Sequence, residues 1–174
     1  MKTLISAFTP FNGRKSNTSN EVLKLLSDEY ETILLETSYK KSVSILKEQI
    51  EKSKPDFVLM LGESGKCKEL ELERLGINFV DATIPDNDGI LRRHERIIET
   101  GDDLIETKVD LSKIGSDFRV SYHAGTYVCN YLYYNILNAF KDSKIKSLFV
   151  HLSTDVEAKD HFHRLKDLLN VLNI

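Results

Sequence analysis

Apolar positions along the chain recur with two periods that alternate from the N-terminus onwards. Runs of mostly β-branched, aromatic and other apolar residues predict strands at residues 3–8, 32–36, 57–61, 77–82, 118–122 and 147–152. Between most of these runs, apolar residues recur every three to four positions, as on the buried face of a helix. The first helix is expected to begin at Thr18, because Glu21 completes the spacing of a capping box. This alternation predicts an α/β fold: one domain over residues 1–174, built as a three-layer α/β/α sandwich with a mostly parallel, twisted central sheet.

The most informative segment is the turn at residues 124–130, which reads Ala-Gly-Thr-Tyr-Val-Cys-Asn. It follows a strand-like run and opens an apolar-periodic one, so the pattern predicts a Gly-Thr turn with Cys129 in the first turn of a helix. There the unpaired backbone N–H groups and the positive end of the helix dipole favour a thiolate over a thiol. The alternative is a small buried thiol without a chemical role, since free cysteine is among the most buried residue types.

Histidines give a second set of candidates. His151 follows the apolar run 147–150, which is typical of a buried strand, and sites in α/β folds lie at the carboxyl ends of such strands. We therefore expect His151 to emerge at that edge. His123 precedes the cysteine turn and is either a site residue or a hydrogen-bonded histidine at a strand end, and the second interpretation is favoured. His161 and His163 would point to different faces of a helix, which disfavours a metal site.

Composition narrows the class of protein. At 174 residues, 41% of them hydrophobic, the chain can bury one good core. A formal net charge of −3 gives no electrostatic footprint for nucleic acid, so no nucleic-acid partner is expected. No apolar run approaches the roughly 18 residues of a membrane span, and the first apolar run is too short for a signal peptide, so no membrane association is expected. Cys67 and Cys129 lie far apart and form no disulfide framework, which favours a cytoplasmic protein.

Several segments, in order along the chain, resemble one family. They are residues 6–13, residues 69–78, the turn at residues 84–89 and the cysteine turn at residues 124–130, followed by His151. The most specific motifs read Glu-Arg-x-x-Ile-Asn, Ile-Pro-Asp-Asn-x-Gly and Ala-Gly-Thr-Tyr-Val-Cys-Asn. Together they resemble pyrrolidone-carboxylate peptidase (pyroglutamyl peptidase I), a family of cysteine peptidases that remove an N-terminal pyroglutamate, and the chain would be a divergent member.

The resemblance implies a catalytic triad and an activity. Cys129 matches the family's nucleophile, His151 its general base and Glu73 the acidic residue that orients the imidazole. The implied enzyme is a thiol protease that removes the pyroglutamyl group from a peptide with a blocked N-terminus, and it needs neither a cofactor nor a metal. The family's segment at residues 90–113 contributes to subunit contacts, so a homo-oligomer, either a dimer or a tetramer, is expected.

The resemblance also implies a substrate pocket. Phe8 and Phe11 match aromatic residues that line the pocket for the pyroglutamyl ring, and Asn17 matches a polar residue at that pocket. The predicted substrate-binding set is completed by Glu63, Thr83 and Ile84.

Three positions depart from the family's pattern. Ala7 stands where the family usually has Gly at a close-packed turn, Glu63 where it has Gln, and Thr83 where it has an Arg near the reacting centre. An Arg there favours the thiolate and the developing oxyanion, and an added carboxylate opposes both. Two other functions therefore stay open: a cysteine hydrolase of the same fold with shifted specificity, and a catalytically silent relative that binds a peptide or small amide. The remaining interpretation of residues 63 and 83 is neutral drift on a solvated loop.

Overall fold

The computed structural model describes residues 1–116 and 118–174 of the chain. The strands in this part are β1 (Thr3–Phe8), β2 (Glu31–Leu35), β3 (Phe57–Ser64), β4 (Leu70–Glu73), β5 (Leu75–Ile77), β6 (Leu104–Glu106), β7 (Arg119–Ser121) and β8 (Lys146–Ser153). The α-helices are α1 (Thr18–Leu26), α2 (Tyr39–Ser53), α3 (Val128–Ala139) and α4 (Ala158–Val171). None of these helices is long and apolar enough to cross a bilayer.

Six strands form the central sheet, in the order β2-β1-β3-β8-β4-β7. Neighbouring strands run parallel except at one junction, where β4 is antiparallel to β8. Strands β5 and β6 form a separate two-stranded antiparallel sheet. The predicted α/β class with a mostly parallel central sheet is therefore confirmed.

Successive residues of the central strands enter two different cores, because side chains alternate between the faces of a strand. Ile5 of β1 and Leu59 of β3 are fully buried in a core shared with α1 and α4. Leu4 and Val58, their neighbours in sequence, are fully buried in a second core shared with α2 and α3. Such strands are apolar on both faces, as expected for a parallel sheet covered on each side. The predicted three-layer arrangement of helices, sheet and helices is thus confirmed.

The predicted strand at residues 77–82 is wrong beyond its first residue. Ile77 ends β5, and further along Val80 forms an isolated bridge with a distant residue. The physical reason is the buried amide of Asn130 on α3. Its Oδ1 accepts the Ile77 N–H at 3.0 Å, and its Nδ2 donates to the carbonyls of Ile77 and Phe79 at 2.9 and 3.0 Å. The Asn130 side chain therefore makes the hydrogen bonds that a neighbouring strand would otherwise make with this backbone.

Strand β4 was not predicted, although it borders β8 in the central sheet. Leu70 and Leu72 enter the core with α1 and α4, while Glu71 and Glu73 point to the other face. Glutamate is depleted in strands, so a strand that alternates leucine with glutamate gives a weak signal. The charged positions nevertheless face the site described below.

Three local expectations are corrected. Helix α1 has Asn17 rather than Thr18 as its N-cap, because the Asn17 Oδ1 accepts the Ser19 N–H at 3.0 Å. Ala7 lies inside β1 and is fully buried, so it does not belong to the turn after that strand. His151 lies within β8, two residues before its end, because the strand runs on through Ser153.

The Asn130 anchor predicts a measurable loss of stability. Asn130→Ala leaves backbone groups of Ile77 and Phe79 unsatisfied, and we expect the free energy of unfolding to fall by about 1–3 kcal/mol in urea titrations. The matched control is Asn138→Ala on the same helix, since the Asn138 side chain makes no hydrogen bond with a described residue. Equal losses in the two variants would show that the anchor contributes nothing.

Candidate active site

Cys129 is the second residue of α3, which begins at Val128 directly after the turn. Gly125 turns the chain with a φ of 78°, a left-handed conformation that glycine adopts freely. Tyr127, the N-cap residue, makes no side-chain hydrogen bond to the first turn. The N–H groups of this turn also lack intrahelical acceptors, so they are available as donors beside the thiol. The predicted turn and the position of Cys129 at a helix N-terminus are confirmed.

His151 and Glu73 form a buried pair beside this turn. The His151 Nδ1 lies 2.7 Å from the Glu73 Oε1, and the two side chains are only 10% and 2% exposed. This contact leaves Nε2 as the nitrogen available to the Cys129 thiol, the other group that raises the pKa of the imidazole. The structure therefore brings together the three residues that the sequence analysis predicted as a triad.

The charge state of the imidazole follows from this environment. Burial disfavours the imidazolium, but hydrogen bonds to Cys129 and Glu73 and the negative charges of both groups outweigh burial and raise the pKa of His151. A raised histidine pKa next to a thiol favours the ion pair of imidazolium and thiolate. Cys67 differs, because burial raises the pKa of its thiol to about 11. Of the two cysteines, Cys129 has the environment of a nucleophile.

Gly62 of β3 allows the thiol to lie against the sheet. It pairs with His151 in the parallel β3–β8 register. A Cβ at this position would lie 2.8 Å from the Phe149 ring, closer than real Cβ contacts allow, and 3.0 Å from the Cys129 Sγ, which is tighter than nearly all of them. A glycine is therefore required where the nucleophile, the aromatic ring and the strand meet.

A cavity of about 600 Å³ opens over Cys129 and His151. Phe11 on its wall packs against Tyr127, with ring centroids 5.8 Å apart. Pockets with a mainly apolar lining and a few placed polar groups are typical of small-molecule sites. All the predicted substrate-binding residues line this cavity: Phe8, Phe11, Asn17, Glu63, Thr83 and Ile84.

Asn17 has a structural role in addition to its place in the lining. Its Oδ1 accepts from the Ser19 N–H and hydroxyl at 3.0 and 2.7 Å, and its Nδ2 donates to the Thr9 carbonyl at 3.2 Å. The side chain is almost fully buried. Asn17 thus caps α1 and fixes the loop that carries Phe11.

Glu63 lies at the end of β3 and not on a solvated loop, which corrects one of the interpretations above. Its carboxylate pairs with the Arg14 guanidinium and accepts the Thr18 N–H, at the N-terminus of α1, at 2.8 Å. The side chain is 2% exposed. Because two positive groups contact this carboxylate, it opposes a nearby thiolate less than the sequence alone suggests.

Thr83 lies on an exposed loop, and its side chain makes no hydrogen bond with a described residue. The loop itself is tied to the cysteine turn by two hydrogen bonds between Asp81 and Thr126. The Thr126 hydroxyl donates to the Asp81 carbonyl at 2.9 Å, and the Asp81 N–H donates to the Thr126 carbonyl at 3.0 Å. The loop is therefore positioned by its backbone, and Thr83 adds no charge to the cavity.

The motif Ile-Pro-Asp-Asn-x-Gly has a structural explanation that the sequence analysis missed. The Asp86 Oδ1 accepts the N–H groups of Asp88 and Ile90 at 3.0 and 2.8 Å, and its Oδ2 accepts the Tyr39 N–H at 2.9 Å. Asp86 thus closes the turn and holds it against the first residue of α2. The signal was present in the turn chemistry of Asp and Gly after Pro.

Two further basic residues line the cavity: Lys66, which was not predicted as part of the site, and His123, for which a site role was the less favoured alternative. Lys66 follows the end of β3, and His123 precedes the cysteine turn; both face the cavity. His161 has a structural role instead, since its Nε2 lies 2.9 Å from the Ser153 carbonyl that it contacts. Nothing in the sequence pattern distinguished Lys66 from an ordinary surface lysine.

Comparisons with known proteins agree with this geometry. A family model described as pyroglutamyl peptidase matches residues 1–158. A pyrrolidone-carboxylate peptidase of Thermosipho africanus (strain TCF52B) is 36% identical over 166 residues, which cover 87% of this chain and 81% of the relative. One from Bacillus cereus (strain ATCC 10987 / NRS 248) is 36% identical over 168 residues, covering 87% and 78%.

Solved structures show the same fold. The pyrrolidone carboxyl peptidase of Fervidobacterium islandicum AW-1 superposes with a TM-score of 0.89 at 29% identity, covering 99% of this chain and 98% of that one. The pyroglutamyl peptidase I of Bacillus amyloliquefaciens superposes with a TM-score of 0.86 at 27% identity, covering 98% and 94%. On the evidence of the family match, the related sequences and the shared fold, the chain belongs to the pyroglutamyl peptidase family of cysteine peptidases.

Proposed function

We propose that this chain removes an N-terminal pyroglutamyl group from peptides, with Cys129 as the nucleophile. The observation that carries the proposal is the buried His151–Glu73 pair beside Cys129, at the base of a cavity with an aromatic wall. The related proteins named as pyrrolidone-carboxylate peptidases support the choice of substrate. The lactam ring of pyroglutamate is small and uncharged, which suits the wall that Phe8 and Phe11 form.

The first half of the reaction is acyl transfer to sulfur. The Cys129 thiolate attacks the carbonyl carbon that joins pyroglutamate to the next residue, and a carbon–sulfur bond forms. The His151 imidazolium gives its Nε2 proton to the leaving amine as the carbon–nitrogen bond breaks. Glu73 holds Nδ1 throughout, so the ring keeps the orientation and tautomer that both transfers need.

The second half is hydrolysis of the thioester. His151, now neutral, takes a proton from water, and the hydroxide equivalent attacks the acyl carbon. The carbon–sulfur bond breaks, pyroglutamate leaves and the thiolate–imidazolium pair returns. In both halves the negative oxygen develops near the first turn of α3, whose free N–H groups supply the donors. The scheme uses only groups of this chain and water.

Two further points extend the proposal to the compartment and the oligomeric state of the protein. Both cysteines are free thiols, and thiols stay reduced most readily in the cytoplasm, which supports a cytoplasmic location. Ile90, Leu91 and Leu104 are exposed apolar side chains in the segment expected to make subunit contacts, which supports a homo-oligomer.

The decisive test is release of a fluorogenic amine from a pyroglutamyl conjugate. We expect the wild-type chain to hydrolyse it and Cys129→Ser to lose about 10³-fold or more in kcat, because the nucleophile is gone. Cys67→Ser is the matched control and should keep its activity. An inactive wild type with a reactive Cys129 would favour a hydrolase of shifted specificity; an inactive wild type with an unreactive Cys129 would favour the silent, ligand-binding relative.

Reactivity of the two thiols gives an independent prediction. Cys129 should alkylate with iodoacetamide faster than Cys67 and keep reacting below pH 7, because the helix N-terminus and the imidazolium favour its thiolate. Mass spectrometry of the two peptides over a range of pH values measures both rates. Similar rates that rise together only near about pH 8.5 would mean that Cys129 is an ordinary thiol.

The raised pKa of His151 predicts a pH dependence. A raised pKa keeps the imidazolium protonated to higher pH, so the alkaline limb of the kcat/KM profile should lie above the ordinary range of histidine. Glu73→Gln removes one cause of the shift, and we expect that limb to move to lower pH by about one unit or more. Glu69→Gln, an exposed position just before β4, is the control. A limb that stays in place in Glu73→Gln would contradict the assigned role of Glu73.

A further inference from the structure

The carboxylates that line the cavity share one property: each has a cationic or proton-donating partner within the protein. Glu73 contacts His151, and Glu63 contacts Arg14 and a helix N-terminus. Glu71 lies 3.3 Å from the Arg119 Nε. Asp81 lies 2.6 Å from the Arg93 Nε and 3.3 Å from the His94 Nδ1. The negative charge of the cavity is therefore already compensated.

The two basic residues outside the triad differ in this respect. The Lys66 ammonium is exposed and makes no ion pair or hydrogen bond with a described residue. The His123 Nδ1 accepts the Gly125 N–H at 3.1 Å, so the neutral ring carries its proton on Nε2 and offers it as a donor. Among the described residues of the lining, Lys66 is thus a cation without an opposite charge, and His123 offers an N–H donor without an acceptor; the Thr83 hydroxyl is also unpaired but carries no charge.

Because the lactam ring is uncharged and Phe8 and Phe11 form an apolar wall, the ring offers no opposite charge to the Lys66 cation. The part of the substrate that remains is the peptide after the scissile bond. We propose that Lys66 and His123 recognise a carboxylate on the residue directly after pyroglutamate, so that Glu or Asp is preferred there. This inference rests on the proposed function and names the substrate class for it.

The test compares three peptide amides that differ only in the residue after pyroglutamate: Glu, its uncharged isostere Gln, and Lys. We expect kcat/KM for the Glu peptide to exceed that for the Gln peptide about fivefold at low ionic strength, with the Lys peptide slowest. Adding roughly 0.5 M salt should bring the Glu and Gln rates together, since screening weakens exposed ion pairs.

Variants of Lys66 assign the preference to this residue. Lys66→Gln should remove most of the ratio between the Glu and Gln peptides, His123→Ala should reduce it, and Lys66→Arg should retain it. Lys68→Gln removes the same charge two residues away, outside the lining, and should keep the wild-type ratio. A preference that Lys68→Gln abolishes equally would reflect net charge and would overturn the assignment.

The outcomes separate this inference from the proposed function. Hydrolysis of all three peptides at equal rates overturns the inference and leaves the proposed function intact. A Lys66→Gln variant that slows the Glu and Gln peptides by the same factor also overturns it, because Lys66 would then act on the reacting carbonyl. If the wild type hydrolyses none of the three, nor the fluorogenic conjugate, the proposed function fails and the inference falls with it.

Discussion

The site depends on one constraint, the burial of the Glu73 carboxylate. Its side chain is 2% exposed, and Oε1 contacts His151 while Oε2 has no hydrogen-bond partner among the described residues. A buried carboxylate without compensation is strongly unfavourable, and losing one partner of a buried pair costs roughly 3–5 kcal/mol. The imidazole is the group that compensates Glu73, and it does so best as the imidazolium. The charge state needed to stabilise a thiolate is therefore also the one that the fold favours.

The antiparallel orientation of β4 relative to β8 brings this carboxylate to the histidine. Phe149 and His151 are neighbouring side chains on one face of β8. In the antiparallel register, Glu73 of β4 lies opposite Phe149 and therefore shares that face. Glu71 and Glu73 share that face, while Leu70 and Leu72 pack into the core on the other. Strand β4 therefore places the Glu73 carboxylate beside His151 while its leucines stay buried on the other face. The orientation of β4 is part of the active site rather than a detail of topology.

Much of the architecture was predictable, because long apolar runs with clear periods determine the buried strands and helices. The positions of Cys129 and His151 were also predictable from the periodic runs beside them, whereas Glu73 was predictable only through a motif. What the sequence did not reveal depends on side chains that replace backbone partners. Asn130 took the place of a strand neighbour for Ile77, and Asn17 capped α1 one residue before the expected start. A side-chain amide that replaces a backbone hydrogen-bond partner does not change the spacing of apolar residues, so the sequence pattern does not reveal it.

The departures at Glu63 and Thr83 show a second limit of sequence reasoning. The expectation for Glu63 treated its charge in isolation, but Arg14, 49 residues away in sequence, supplies the opposite charge. Distant pairs of this kind are set by the tertiary fold. Lys66 likewise differs from other surface lysines only because the fold places it in the lining of the cavity.

Helix α3 couples the geometry of the triad to the stability of the fold. Cys129 lies in its first turn, and the next residue, Asn130, holds the segment after β5. One turn further, the fully buried Tyr133 donates its hydroxyl to the Glu73 carbonyl at 2.9 Å. The same rigid helix thus fixes the nucleophile and the backbone of the residue that orients the base. Any shift of α3 along the sheet would move Cys129 relative to His151 and Glu73, which are held together by the pairing of β8 and β4. The packing that stabilises this helix therefore also sets the distance over which the proton is transferred.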